Sequence, residues 1–183
     1  MGVWDCYLRW RHSKGFGVHS PYAFRLINDV LKPGPYGYYA YHKAERLAMK
    51  GGLDSGMAFK ELKFIIRLAV FLNSTSINIC GHSSKAAEYA ARSLNLPYRT
   101  IHGKIPEELK SGDLVIIEGD GINENDLKEL IGKGVSVLAY SPTENIRAIL
   151  TAPLEKGLLF IGKTKLLLIP RQEMSYLSYL MRF

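Results

Sequence analysis

Short apolar segments alternate with amphipathic stretches along this sequence, and this alternation constrains the possible folds more than any other feature. The segments SINIC (76–80), DLVIIEG (113–119) and VSVLAY (135–140) are almost uninterrupted apolar runs. Strands buried on both faces of a parallel sheet have this composition, and the helices between them form right-handed crossovers. The pattern therefore predicts an α/β fold with an open, mainly parallel sheet. Three later segments predict strands that finish the sheet, the first two as an antiparallel hairpin: LLFIGKT, KLLLIPR and YLSYLMRF.

Capping residues mark several helix boundaries. Ser20 followed by Pro21 is a typical N-cap with proline at the first helical position, and it predicts a helix that stops at 32–34. Asn123 predicts the start of a helix after the strand DLVIIEG. The segment SPTE at 141–144 has the spacing of a capping box and predicts a helix that begins directly after VSVLAY.

The 183 residues are enough for one ordinary globular domain. The segment GGLDSG at 51–56 is the clearest internal boundary, because two glycine-containing turns flank a short polar stretch. We therefore predict a basic helical N-terminal extension over residues 1–55. It should pack on an α/β domain over residues 56–183, so that the two form a single globular unit.

Positive charge is concentrated in the first part of the chain. The formal charge is +7, and residues 1–50 contribute +5 of it through eight basic and three acidic residues. Such a segment could follow a nucleic acid backbone while its tyrosines stack on bases. We favour the alternative that the tyrosines cover the core and the lysines keep the protein soluble. The tyrosines concerned are Tyr36, Tyr38, Tyr39 and Tyr41.

The longest apolar run, Phe64 to Leu72, is broken by Arg67 and is far shorter than the roughly 20 residues that span a bilayer. The N-terminus also lacks the apolar centre of a signal peptide. We therefore expect a cytoplasmic protein with no membrane partner. The two cysteines, Cys6 and Cys80, lack the spacing of a zinc site, so neither a metal nor a disulfide is expected.

Two stretches at the ends of the chain are familiar. GFGVHSPYAFRLINDVL (15–31), with YY and KAERL behind it, resembles the opening of a group of bacterial proteins classed as S-adenosylmethionine-dependent methyltransferases. The ending from GLLFIGK to MRF resembles the last strands of the same group. The resemblance implies a Rossmann-like methyltransferase fold of seven strands, with the cofactor at the carboxyl ends of the first strands.

The interval between the second and third predicted strands is unusually short. Only nine residues, 104–112, separate the predicted strand PYRTIHG from DLVIIEG, where the family has a helix, a strand and another helix. A strand and a helix cannot fit in this interval. We therefore predict a mostly parallel sheet that is trimmed to about six strands, lacks the edge strand and ends in one or more antiparallel strands.

The cofactor motifs of the family are changed in this sequence. The family's first motif, Glu-Leu-Gly-x-x-x-Gly, aligns on Gly81, where it places Ile79 at the acid and Lys85 at the second glycine. His102 stands where the resemblance implies an acid for the ribose hydroxyls. A lysine beside a sulfonium adds like charge, and its side chain occupies space where the backbone should be bare.

Two later positions also depart from the family. The Asp-Gly-x-His that follows its fourth strand becomes Glu118-Gly119-Asp120-Gly121, and the Asp-Asp after its fifth becomes Ala139-Tyr140. Glu118 and Asp120 could be a residual base pair, or they could form a hydrated turn, which we favour. His82, Ser83, Ser84 and Lys85 at the start of the next helix could bind an anion, or Ser83 or Ser84 could simply cap that helix. The residues expected to line whatever site remains are Gly81, His82, Ser83, Lys85, His102 and Glu118.

The sequence therefore favours a methyltransferase-fold protein that has lost catalysis and canonical S-adenosylmethionine binding. No cofactor is expected, no catalytic residue can be assigned, and the partner would be an unknown small anion or a protein. One alternative is an active S-adenosylmethionine-dependent methyltransferase with an atypical site. A second alternative is a nucleic-acid-binding module that uses the basic N-terminal segment.

Overall fold

A computed structural model describes residues 3–32, 39–52, 56–82, 84–152, 155–171 and 173–181. Ser83, Tyr36 and Tyr38 lie outside these ranges. The helices are α1 (Val3–Ser13), α2 (Pro21–Leu26, continued by a π-helical turn at Ile27–Leu31), α3 (Tyr39–Lys50), α4 (Gly56–Leu72), α5 (Lys85–Leu94), α6 (Glu124–Gly132) and α7 (Glu144–Thr151). The strands are β1 (Ile77–Cys80), β2 (Tyr98–Ile101), β3 (Leu114–Glu118), β4 (Ser136–Tyr140), β5 (Leu158–Ile161), β6 (Lys165–Ile169) and β7 (Leu177–Leu180).

The strands form one seven-stranded sheet in the order β2-β1-β3-β4-β6-β5-β7. Strands β1 to β4 pair in parallel, β6 is antiparallel to β4 and β5, and β7 is parallel to β5. The predicted α/β fold with a mostly parallel sheet is therefore confirmed, including the antiparallel hairpin. The sheet has seven strands rather than the predicted six or so, because all seven predicted strand segments, including YLSYLMRF with β7, join one sheet.

Strand β7 reaches its place by crossing the start of β5. Leu177 N donates to Gly157 O at 3.0 Å, and Gly157 N donates to Met174 O at 3.2 Å. A Cβ at Gly157 would lie 2.7 Å from Ile169 O, and this residue has a φ of +128°. The crossing therefore needs glycine at this point, and it turns the chain so that β7 runs parallel to β5.

The connection from β2 to β3, residues 102–113, contains neither a helix nor a strand. Strand β2 consequently forms one edge of the sheet. The connection is held down by Ile105 and Leu109, which are buried against the same face of the sheet as α6 and α7. This short, anchored link is the feature that the nine-residue interval predicted.

Two hydrophobic layers enclose the sheet. Helices α6 and α7 cover one face, and α2, α3, α4 and α5 cover the other. Fully buried residues of the N-terminal region, such as Leu26, Val30 and Ala48, belong to the second layer and pack with residues of the sheet. None of the described helices combines the length and apolar character needed to cross a membrane.

Arg67 on α4 is buried within this second layer. Its Nε donates to Val30 O at 3.0 Å, and its Nη1 donates to the Tyr41 hydroxyl at 3.2 Å. The guanidinium thus joins the turn after α2 to α3 and α4, because a buried cation must satisfy its donors. Tyr41 is therefore a core residue, as the favoured interpretation of the tyrosines requires. For Tyr39 that interpretation is wrong, because this side chain at the start of α3 is 84% exposed and does not cover the core.

Candidate functional site

The carboxyl edge of the sheet carries a row of five candidate site positions. The strand register aligns Glu118 with Tyr140 and Tyr140 with Lys165, and it places Gly81 and His102 directly after the paired residues of β1 and β2. Neighbouring strands lie roughly 4.8 Å apart, so these five positions follow one another across the edge. We call them the carboxyl-edge row.

The row includes a topological switch point. From β1 the chain proceeds to β2 on one side, whereas β3 and β4 lie on the other side of β1. Open α/β sheets bind ligands at such a point, in the crevice outside the carboxyl ends of the strands. Gly81 directly follows β1, and Glu118 is the last residue of β3. A ligand bound at the switch point would therefore be expected above these two residues.

The backbone at Gly81 is in close contact with the loop that follows β3. Gly81 has a φ of +110°, and a Cβ at this residue would lie 2.9 Å from Glu118 O. A Cβ at Gly121 would lie 2.4 Å from Cys80 O and 2.6 Å from Gly81 Cα. The loop between β3 and α6 therefore packs directly against the backbone of Gly81, where neither glycine has room for a side chain.

The residues after Gly81 do not converge on one point. The Ser84 hydroxyl accepts a hydrogen bond from Ala87 N and caps α5. Lys85 is exposed, and its Nζ lies 3.5 Å from Gly51 O beyond the end of α3. His82 and His102 are exposed. Their roles in binding, and that of Ser83, stay predictions.

Glu118 is the partly buried acid of the row. Burial raises the pKa of its carboxyl, while the charge of His82 lowers this pKa and that of Glu61 raises it. Asp120 is exposed, and Gly121 N donates to Glu118 O at 3.2 Å, which forms a turn. This geometry agrees with the interpretation of Glu118 to Gly121 as a chain reversal.

The most organised part of the edge was not found by sequence reasoning. Lys165 Nζ lies 2.6 Å from Glu61 Oε2, and it also lies 4.9 Å from the ring centroid of Phe64 and 4.8 Å from that of Tyr140. The side chains of Lys165 and Glu61 are only 21% and 25% exposed. Glu61 Oε1 and the Tyr140 hydroxyl are buried and have no hydrogen-bond partner among the described residues. We call Lys165 and the three groups around it the lysine cage.

Part of this arrangement could have been predicted. The segments LLFIGKT and KLLLIPR predict a hairpin, and an antiparallel strand that follows a hairpin begins at the carboxyl edge of its parallel neighbours. Lys165 therefore had to lie near Tyr140 once β6 paired with β4. Glu61 comes from α4, and no spacing in the sequence indicates which turn of this helix faces the edge.

Other chemistry is not gathered at the edge. Within the described ranges, no group of three or more His, Cys, Asp or Glu side chains could hold a metal ion. Cys80 is buried, and burial, with a further contribution from Asp126, raises the pKa of its thiol to about 11. This cysteine is thus a thiol rather than a reactive thiolate at neutral pH.

A groove of about 810 Å³ opens at the opposite, amino edge of the strands, where Gly112, Ser136 and Ile169 contribute to its lining. Two of its three lining cations are engaged by other groups. Lys133 Nζ pairs with Glu129 at 2.8 Å, and the Arg171 guanidinium lies 4.1 Å from the ring centroid of Tyr22. This groove lies at the edge of the sheet opposite the switch point.

We expect Glu118→Gln to be more stable than the wild type at pH 7, with a difference that disappears below about pH 4. Burial favours the protonated carboxyl, so the stabilisation from this group is complete below the unfolded pKa and is lost as pH rises through the folded pKa. Glutamine does not ionise, so the variant keeps this stabilisation at every pH. Urea denaturation at both pH values measures the difference, and exposed Glu107→Gln is the matched control. A stability difference that grows on acidification would contradict this reading.

No protein-family model matches this chain, and neither a curated protein nor a solved structure gives a significant match. The functional conclusion therefore depends on the geometry of the carboxyl edge.

Proposed function

We propose that this chain is a methyltransferase-fold protein that has lost methyl transfer and canonical S-adenosylmethionine binding, and that acts by binding a partner. The strand order supports the proposal, because the switch point between β1 and β3 lies where nucleotide-binding α/β proteins hold their ligand. The resemblance of the N-terminal and C-terminal segments to the methyltransferase group supports it independently.

The observation that carries the proposal is that the chain itself occupies the carboxyl edge. The β3–α6 loop contacts the backbone at Gly81 so closely that a Cβ at Gly121 would lie only 2.4 Å from Cys80 O. Farther along the edge, the Lys165 ammonium lies between two aromatic rings and a carboxylate. Aromatic faces and a carboxylate are the groups that stabilise a bound cation, and here an internal cation satisfies them.

The charges of the edge also oppose a sulfonium ligand. The positions that the resemblance implies as acids are Ile79, which is fully buried in β1, and His102, which is exposed. Glu118 remains, but burial raises its pKa and so disfavours its charged form. A cationic cofactor above the switch point would consequently meet few fixed negative charges.

Calorimetric titration with S-adenosylmethionine and with its demethylated product tests the proposal. We expect no saturable heat at ligand concentrations up to about 1 mM, which corresponds to less than roughly 4 kcal/mol of binding free energy. Saturable micromolar binding of either compound would overturn the proposal and favour an active methyltransferase with an atypical site.

A further inference from the structure

Helix α1, the turn after it and the start of α2 direct aromatic side chains into solvent. Five of them are between 44% and 69% exposed, and they form what we call the aromatic patch: Trp4, Tyr7, Trp10, Phe16 and Phe24. The ring centroids of the first four are separated in succession by 5.6, 6.3 and 6.5 Å. The Phe24 ring covers Gly15, since a Cβ at that glycine would lie 2.6 Å from it. The first four rings thus form a continuous row, and Phe24 lies beside the turn that carries Phe16.

The inner side of the same helix is polar and is fixed to the sheet. Arg9 Nη1 donates to Ile161 O at 2.8 Å and to Met181 O at 3.0 Å, at the ends of β5 and β7. The His12 ring meets the Tyr179 ring edge-on at 5.6 Å, and Ser13 is buried. Helix α1 therefore reverses the usual arrangement, in which the apolar side faces the core. A contiguous exposed apolar surface of this kind indicates an interaction site.

The charges around the aromatic patch define the chemistry of the partner. Residues 3–25 contain four basic residues and one acid, Asp5, which is half-buried. The exposed charges of this segment, on Arg11, Lys14 and Arg25, are all positive. The surface is therefore complementary to an anionic partner.

We propose that the aromatic patch docks this protein on the surface of an anionic phospholipid bilayer. Both tryptophans of the chain lie in the patch, and tryptophan and tyrosine are the residues that prefer the bilayer–water interface. A helix that is apolar on its outer side and flanked by Arg and Lys can lie flat among headgroups, with its cations near the phosphates. Surface binding of this kind needs no membrane-spanning segment, and the absence of such a segment is the basis for expecting no membrane partner.

The observations favour a bilayer over a single-stranded nucleic acid. Proteins that bind single strands combine a basic groove with rings on which bases stack. Here the rings pack against one another on the convex outer side of a helix, which contacts the edge strand β7 on its inner side. This proposal does not depend on the proposed function, since the patch and the carboxyl edge share no residue.

Vesicle binding tests the proposal with the intact chain. Because Trp4 and Trp10 are the only tryptophans of the sequence, intrinsic tryptophan emission reports on the patch alone. We expect a blue shift on addition of vesicles that contain about one third phosphatidylglycerol in phosphatidylcholine, and a much weaker response to phosphatidylcholine alone. Co-sedimentation of the double variant Trp4→Ser, Trp10→Ser should show at least about tenfold weaker partitioning.

The matched control is Tyr39→Ser on α3, which removes an aromatic side chain that is 84% exposed outside the patch and should leave partitioning unchanged. Circular dichroism establishes that each variant is folded. Three results would overturn the proposal: no binding to anionic vesicles, equal binding by the double variant, or patch-dependent binding to a single-stranded oligonucleotide or to a second copy of the chain without vesicle binding.

Discussion

Gly121→Ala is expected to lower the free energy of unfolding by about 3 kcal/mol. The added Cβ would lie 2.4 Å from Cys80 O and 2.6 Å from both Cys80 C and Gly81 Cα. All three atoms belong to the backbone at the end of β1, which pairs with β2 on one side and β3 on the other. The clash therefore cannot be relieved by rotation of a side chain, and either the loop or the strand end has to move.

Urea denaturation measures this loss, and Gly132→Ala is the matched control. Gly132 is at the end of α6, and a Cβ there would have no neighbour within 4 Å. The control should therefore lose no stability, and the higher helix propensity of alanine should raise it by up to about 1 kcal/mol. If Gly121→Ala were as stable as the control, the β3–α6 loop would not contact the glycine turn, and a ligand could approach there.

Lys165→Met is expected to cost about 2 kcal/mol of unfolding free energy. The substitution keeps an apolar stem between Phe64 and Tyr140 but removes the charge that lies 2.6 Å from Glu61 Oε2. The Glu61 carboxylate, whose other oxygen is already buried without a described partner, then has no counter-charge. A partly buried, unpaired carboxylate is destabilising, so the loss exceeds that of an exposed ion pair.

A double-mutant cycle with Glu61→Gln isolates this interaction, because the double variant removes both charges and should recover part of the lost stability. Lys63→Met is the matched control. Lys63 pairs with Glu45 at the same 2.6 Å, but this pair is more exposed and the control should cost less than about 1 kcal/mol. Equal losses for the two lysines would show that the lysine cage is an ordinary surface ion pair.

The fold follows from the sequence where local chemistry decides it. Ser20 and Asn123 cap their helices as predicted, with hydrogen bonds from Ala23 N and Asp126 N. The helix predicted from SPTE forms, but it starts later than predicted: α7 begins at Glu144 and is capped by Thr143 rather than Ser141. Ser141 N donates instead to Thr164 O at 2.6 Å, which ties this residue to the β5–β6 turn. A tertiary contact thus overrides a local capping preference.

The site was less accessible to sequence reasoning, because it depends on contacts between distant segments. The position of Gly81 after β1 and of Glu118 at the end of β3 could be predicted from strand order alone. The approach of Lys165 to Glu61 joins residues 104 positions apart, and helical periodicity does not fix the direction of Glu61. The reversed polarity of α1 also appears only when its inner hydrogen bonds are seen.

The amide signals of Gly81, Gly119 and Gly121 in a two-dimensional NMR spectrum give the most direct test of whether the chain itself closes its carboxyl edge. On addition of S-adenosylmethionine to about 1 mM, we predict that these three signals keep their positions. Saturable shifts of the same signals at micromolar ligand would contradict the account, because they would show the cofactor bound against the glycine turn.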